Sequence, residues 1–316
     1  MNGAKTKIFI DGSEGTTGLR IHERFEGRAD VELLSIDPAL RKDKEARRER
    51  LNACDVAFLC LPDDAARESV SLIENPNVRV LDTSTAHRTA DGWAYGFPEL
   101  SQAHRNAIKA GKRIAVPGCH ASGFIALVYP LMAAGLLSPN AALSCFSITG
   151  YSGGGKRMIA DYQSEARHPA LSAPRVYALP QQHKHLGEMR HVCGLSAAPV
   201  FSPIVADYYS GMLVSVPLHA GMLQKPMDTD ALREVYRAHY ASERFVRVTD
   251  AADGAMLSSN ALSGLDFMEI TVCGNAERMS VNACFDNLGK GASGAAIQCL
   301  NCMLGLDEAT GLQLGE

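Results

Sequence analysis

A short apolar strand that runs into a glycine-rich turn and then a helix restricts the possible folds of this chain more than any other feature. Lys7-Ile8-Phe9-Ile10 reads as the strand, Asp11 to Gly18 as the turn and Leu19 to about Phe25 as the helix. The glycines fall as GxxGxxG, at Gly12, Gly15 and Gly18. Such a loop lets backbone approach a pyrophosphate while the free N–H groups of the next helix face the anion. Gly12, Ser13, Gly15, Thr16, Thr17 and Gly18 are therefore candidate cofactor contacts. The alternation continues: Val31 to Ile36 and Ala53 to Leu61 read as strands, Pro62 ends the latter, Asp64 to about Glu74 reads as a helix, and Val78 to Leu81 as a fourth strand. Strands and helices at these spacings predict a right-handed parallel sheet with ligands at its strand C-terminal ends. The first loop, the segment Thr83 to Arg88 with Ser84, and Cys119 are then expected to open onto one crevice.

The end of the second strand is where a dinucleotide-binding fold meets the adenosine ribose. Asp37, about twenty residues beyond the loop, suits the ribose hydroxyls of NAD, whereas Ser35 with Arg41 and Lys42 suits the additional phosphate of NADP. The rest of the charged run from Arg41 to Arg50 reads as a solvated helix face.

A second strand, turn and helix is centred on Val116-Pro117-Gly118-Cys119-His120-Ala121-Ser122-Gly123 and runs on through the apolar stretch Phe124 to Leu137. The sequence places Cys119 just before the first helical residue, where free N–H groups and the helix dipole favour a thiolate. Two readings stand: a nucleophile, or a small core filler.

Beyond this helix the texture changes. Leu143 to Thr149 reads as a strand, and Gly150-Tyr151-Ser152-Gly153-Gly154-Gly155-Lys156 as a glycine loop ending in a cation, able to hold substrate or an anion. Pro180 to Glu188 supplies His183 and His185, with imidazoles that titrate near neutrality and suit acid/base work. Val200 to Ile204, Met212 to Pro217, Phe245 to Val248, Asp266 to Cys273 and Met279 to Phe285 read as strands, and Asp228 to Tyr240 as an amphipathic helix. Many strands and few helices predict a mixed or antiparallel sheet. The small residues that follow Asp286 lead into a last helix, expected to return to the nucleotide domain. The expected architecture is α/β: a Rossmann-type dinucleotide-binding domain over 1–118 completed by 287–316, and an α+β catalytic and oligomerisation domain with a mixed sheet over 119–286.

The formal net charge of −4 gives no electrostatic reason to expect nucleic acid or an anionic membrane as partner. No apolar stretch reaches membrane-spanning length and no signal peptide is evident, so a cytoplasmic protein is expected. The nine cysteines lack disulfide-like spacing. The Cys299/Cys302 pair and the His183/His185 pair each lack further ligands at usable spacing, so no metal is expected.

Together, GSEGTTG, LDTSTAHR, PGCHASG, TGYSGGGK, the HKH pair and DNLGKGASGAA, in order across essentially the whole chain, carry a resemblance. The chain resembles the shorter type of N-acetyl-gamma-glutamyl-phosphate reductases, within the wider family that includes aspartate-semialdehyde dehydrogenase. The resemblance implies NADPH as cofactor, a small acyl phosphate as substrate, a reductive step of arginine biosynthesis, and a homodimer or homotetramer. It implies Cys119 as nucleophile and His185, in preference to His183, as base. Arg88, Ser122, Gly154, Lys156, His183 and Glu188 are then expected around the substrate, and Asn287 and Gly291 at the cofactor. Aspartate-semialdehyde dehydrogenase is the alternative enzyme. A non-catalytic dinucleotide-binding redox sensor is the alternative outside enzymes, and the HKH pair and the second glycine loop argue against it.

Overall fold

The computed structural model describes residues 5–250 and 256–315. They divide into two units, one running to Gly118 and taking in Ala292–Leu312, the other spanning Cys119–Gly291 and the last residues from Gln313.

The first unit is built on a six-stranded sheet. Its elements are β1 (Thr6–Asp11), α1 (Thr16–Arg24), β2 (Val31–Leu34), α2 (Lys44–Ala53), β3 (Val56–Leu59), α3 (Asp63–Ser71), β4 (Arg79–Asp82), β5 (Ala94–Tyr95), α4 (Gln102–Ala110) and β6 (Arg113–Ala115). The strand order is β2-β1-β3-β4-β6-β5, and every neighbouring pair is parallel. This is a Rossmann-like sheet. Both faces are covered, so its central strands are continuous apolar runs, as in Val56-Ala57-Phe58-Leu59, where all four residues are buried. The closing helix Gly294–Leu304 is apolar on nearly every side and packs into the core with Ile8, Ile114 and Val116.

Two elements here were not expected from sequence. β5 is only two residues long, and α4 buries only Ile108, so its apolar period is faint. What starts α4 is a cap: the Ser101 hydroxyl accepts the His104 N–H. Helix α1 also begins at Thr16, three residues before the expected Leu19, so the glycine turn is shorter than expected.

The second unit carries α5 (Cys119–Ala133), β7 (Ser144–Gly150), α6 (Gly155–Gln163), β8 (Arg175–Val176), α7 (Leu186–Val192), β9 (Val200–Ala206), β10 (Met212–His219), α8 (Thr229–His239), β11 (Val246–Thr249), β12 (Met268–Gly274) and β13 (Arg278–Phe285). Its seven strands run β11-β12-β13-β10-β7-β9-β8. The sheet is mixed: β11/β12 and β7/β9 are parallel and the other pairs antiparallel. Helix α5 starts at Cys119 itself, so the nucleophile candidate lies in the first turn and not just before the first helical residue. The small residues there permit close packing; a Cβ on Gly123 would lie 2.4 Å from Val214 Cγ2 on β10. Residues 287–291, expected with the nucleotide domain, cluster with this second unit instead.

Candidate functional site

In the first unit, the turn after β1 is shaped by what it cannot hold. Gly12 has φ +86°, and a Cβ there would fall 2.4 Å from the Cys60 carbonyl oxygen; one on Gly18 would fall 2.4 Å from the Gly12 carbonyl oxygen. Only glycine lets the loop fold this tightly onto the end of β3. The loop borders a cavity of about 390 Å³ lined by Gly12, Ser13, Glu14, Gly15, Ile36, Arg41, Lys42 and Leu61, among others. The Thr16 hydroxyl at the helix start is buried and makes no hydrogen bond within the described residues. A backbone cradle, an unsatisfied hydroxyl and two cations fit a dinucleotide phosphate.

Not every expected cofactor residue joins this cavity. Ser35 is exposed, beyond the end of β2, and is not among the lining residues. The Asp37 carboxylate, which suited NAD, accepts the Ala39 N–H at 2.8 Å in a local turn and does not line the cavity either. Ser84 is buried, and its hydroxyl donates to Asp82 Oδ2 at 2.8 Å, which uses the proton a cofactor contact would need. Asp82 also holds His87 Nδ1 at 2.6 Å, and the His87 ring stacks on Trp93 with centroids 4.0 Å apart. Arg88 is buried, donating from Nε to the Val116 carbonyl and from Nη2 to the Thr83 carbonyl. It braces the ends of two strands, so an anion would share it with that structural duty.

In the second unit, the residue after Cys119 organises the site. His120 is buried; its Nδ1 lies 2.6 Å from Ser147 Oγ on β7 and its Nε2 2.6 Å from the Tyr177 hydroxyl. Around it, His183 and His185 have ring centroids 5.4 and 5.7 Å from that of His120 and 4.7 Å from each other. Burial, and then the neighbouring His183, push the His120 pKa down to about 3, so the ring is neutral. Burial raises the Tyr177 phenol above its usual range, and Cys119 adds to the effect. His185 is buried at the N-terminus of α7, with Glu188 buried in that helix's first turn. The His185 backbone N–H donates to His183 Nδ1 at 3.2 Å, so His183 helps shape the turn that presents its neighbour.

Ser122 is buried in the first turn of α5. Gly154 and Lys156 are exposed at the start of α6, a helix whose glycine-rich beginning has the composition of a loop. Asn287 and Gly291 each have a structural duty in the second unit. The Asn287 side chain accepts the Gly211 N–H at 2.8 Å and donates to Ser152 Oγ at 3.0 Å, so it ties the β9–β10 connection to the second glycine loop. A Cβ on Gly291 would lie 3.1 Å from Cys119 Cβ, so this glycine makes room beside the cysteine.

Sequence reasoning gave no role to His120, Ser147 or Tyr177. The available signal was a polar ring immediately after the nucleophile candidate in an otherwise apolar helix. Burial pushes the thiols of Cys54, Cys60 and Cys302 up to about 12 and that of Cys284 to about 11, and raises those of Cys145 and Cys193 as well. These six are poor nucleophiles at neutral pH. Among the described residues no cluster of three or more His, Cys, Asp or Glu is placed to hold a metal ion, and no helix is long and apolar enough to cross a membrane.

A nucleotide-type parallel sheet followed by a mixed-sheet unit opening on a cysteine defines a semialdehyde-dehydrogenase class of oxidoreductase. Accordingly, residues 7–109 match the family described as "Semialdehyde dehydrogenase, NAD binding domain" and residues 119–287 its "Semialdehyde dehydrogenase, dimerisation domain". The chain is 44% identical to N-acetyl-gamma-glutamyl-phosphate reductase 2 of Nostoc sp., over 98% of this chain and 99% of that protein. It is 47% identical to N-acetyl-gamma-glutamyl-phosphate reductase of Rhizobium leguminosarum bv. trifolii, over 94% and 98%. Within the semialdehyde dehydrogenase class, the chain belongs to the N-acetyl-gamma-glutamyl-phosphate reductase family. Its fold is also that of aspartate semialdehyde dehydrogenase II from Vibrio cholerae, complexed with ASA (TM-score 0.73, 14% identity, 96% and 99% of the two chains). The same holds for aspartate semialdehyde dehydrogenase with NADP from Candida albicans (TM-score 0.68, 13% identity, 95% and 99%).

Proposed function

We propose that this protein reduces N-acetyl-gamma-glutamyl phosphate to the corresponding semialdehyde and phosphate, with NADPH as the reductant. The observation that carries the reading is Cys119 in the first turn of α5, followed directly by a buried histidine cluster that contains His185. The Cys119 thiolate attacks the acyl carbon, the bond from that carbon to the phosphoryl oxygen breaks, and phosphate departs to leave a thioester on the sulfur. Bound NADPH supplies the hydride for that thioester. His185 takes the thiol proton beforehand and returns it to the oxygen of the resulting thiohemiacetal, whose C–S bond then breaks to release aldehyde and thiol. N–H groups in the first turn of α5, near Ser122, stabilise the oxygen while it is negative. Arg88 and Lys156 are assigned to the phosphoryl group from their motifs, and Gly154, His183 and Glu188 to the rest of the substrate.

The cofactor is assigned to the loop after β1, with Arg41 and Lys42 on the 2′-phosphate of NADPH. A second copy of the chain is assigned to the face of the seven-stranded sheet that carries the exposed Phe146 and Val200, giving a homodimer or homotetramer.

The deciding assay is oxidation in reverse, with NADP and inorganic phosphate. N-acetylglutamate semialdehyde is expected to outperform aspartate semialdehyde by a large factor in kcat/KM. An equal or better rate with aspartate semialdehyde overturns the substrate assignment. Turnover that survives in Cys119→Ala overturns the covalent mechanism.

A further inference from the structure

Both nitrogens of a neutral imidazole are engaged at His120, and such a ring can donate from only one of them. The direction of the chain is therefore a physical question with two answers. Ser147 is fully buried, and its hydroxyl has His120 Nδ1 as its only hydrogen-bond partner among the described residues. If Nδ1 carried the proton, the serine hydrogen would be left buried and unpaired, which is the costlier arrangement. If the serine donates, Nδ1 accepts, the imidazole proton sits on Nε2, and Nε2–H donates to the Tyr177 oxygen. The Tyr177 proton must then go elsewhere. Tyr177 is only partly buried, makes no other side-chain hydrogen bond among the described residues, and lies near enough to Cys119 for the charge of that sulfur to push the phenol up further.

We propose that Ser147, His120 and Tyr177 form a one-way hydrogen-bond chain that turns the Tyr177 hydroxyl proton toward the Cys119 sulfur and stabilises its thiolate. His120 is then a positioning residue and Tyr177 a hydrogen-bond donor to the nucleophile. Because burial keeps its phenol protonated, Tyr177 donates without acting as a base. The other titratable groups facing His120 are His183 and His185, with Glu188 one turn further along α7. This inference rests on reading Cys119 as the nucleophile.

The test is the pH dependence of Cys119 alkylation by iodoacetamide, followed by mass spectrometry of the labelled peptide, with NADPH binding as the check on folding. Tyr177→Phe is expected to raise the midpoint by about one pH unit, because a hydrogen bond to the charged form is lost. His120→Leu should do the same. His120→Gln, which keeps an acceptor and a donor at imidazole spacing, should restore the midpoint. A merely structural role would lower stability without moving it. An unchanged midpoint in Tyr177→Phe overturns the chain, as does His120→Gln behaving like His120→Leu. Full turnover after complete alkylation of Cys119 sinks the nucleophile reading instead, and the midpoints still decide on the chain.

Discussion

Arg47, on α2, places its Nη2 3.1 Å from Asp11 Oδ2 at the end of β1, and both side chains are buried. Ser69 Oγ completes the cluster, donating to Asp11 Oδ2 at 2.8 Å and accepting from Arg47 Nη2 at 2.6 Å, while Arg47 Nη1 lies 2.7 Å from Glu68. The ion pair anchors the strand end from which the glycine loop departs. Removing one partner strands the other charge away from water, so Arg47→Ala should cost about 3–5 kcal/mol in denaturant unfolding. Replacing both, as Arg47→Met with Asp11→Leu, should cost less than Arg47→Ala. If the single variant lost under about 1 kcal/mol, the pair would be no more than a surface-grade contact.

Arg41 and Lys42 line the cavity beside the glycine loop, and Arg41 is 3.8 Å from Glu14, a loose exposed pairing that a phosphate can replace. Arg41→Ala with Lys42→Ala should weaken NADPH binding by about tenfold to a hundredfold, each lost charge-assisted bond contributing about 1.5–3 kcal/mol before solvent screening. NADH binding should change little. Calorimetric titration of both cofactors checks this, and an unchanged ratio would place the 2′-phosphate elsewhere. Ser35→Ala should have little effect, given its position outside the cavity.

What sequence made legible, and what it did not, follows from the range of the interactions. The GxxGxxG turn and the buried run Val56 to Leu59 announce themselves locally, because backbone freedom and continuous burial leave a composition signature. Arg47 is invisible among the eight other charged residues that run from Arg41 to Arg50, since only its distant partner Asp11 sets it apart. The same is true of His120, whose partners lie 27 and 57 residues away. Asn287 has a structural duty that its sequence setting does not show. A polar residue before a glycine-rich turn looks like a ligand contact, yet its amide holds Gly211 and Ser152.

His185 is buried in the histidine cluster, whereas His183 is partly exposed and its Nδ1 accepts the His185 backbone N–H. His185→Asn should therefore lower kcat by about a hundredfold to ten-thousandfold, the range for loss of a general acid/base. His183→Asn should act more on KM, through the turn it shapes. Steady-state kinetics separates the two; the reverse order would move the proton-transfer role to His183.

The neutral state of His120 has a consequence for acid stability. Its pKa falls from 6.5 to about 3 on folding, so below pH 6.5 the unfolded chain binds a proton that the native state refuses. Stability from this group is whole above pH 6.5 and is lost progressively as pH falls toward 3, at up to about 1.4 kcal/mol per pH unit. Urea unfolding of His120→Gln between pH 7 and 4 should show a shallower loss than the parent protein, whatever its stability at pH 7. Parallel slopes would mean that His120 takes up its proton in the folded state.

The last prediction concerns the exposed apolar part of the seven-stranded sheet, on the face turned away from α5. Val214, which packs on Gly123 of α5, is paired with Ser147, so these two residues lie on the helix-covered face. Phe146, the next residue along β7, points the other way. Val200 pairs with Ser144 across the parallel β7/β9 ladder and therefore shares the face of Phe146, and Val176, paired with Ile204, extends it onto β8. Phe146 is 49% exposed, Val200 62% and Val176 51%, an apolar patch across three adjacent strands. Water is a poor partner for such a surface, and a second copy of the same sheet face is a self-complementary one, as a two-fold interface requires. Phe146→Asp combined with Val200→Asp should shift the protein to a smaller species in light scattering, with the secondary structure retained because neither side chain packs in the core. An unchanged mass for the double variant would move the interface to another surface of the chain.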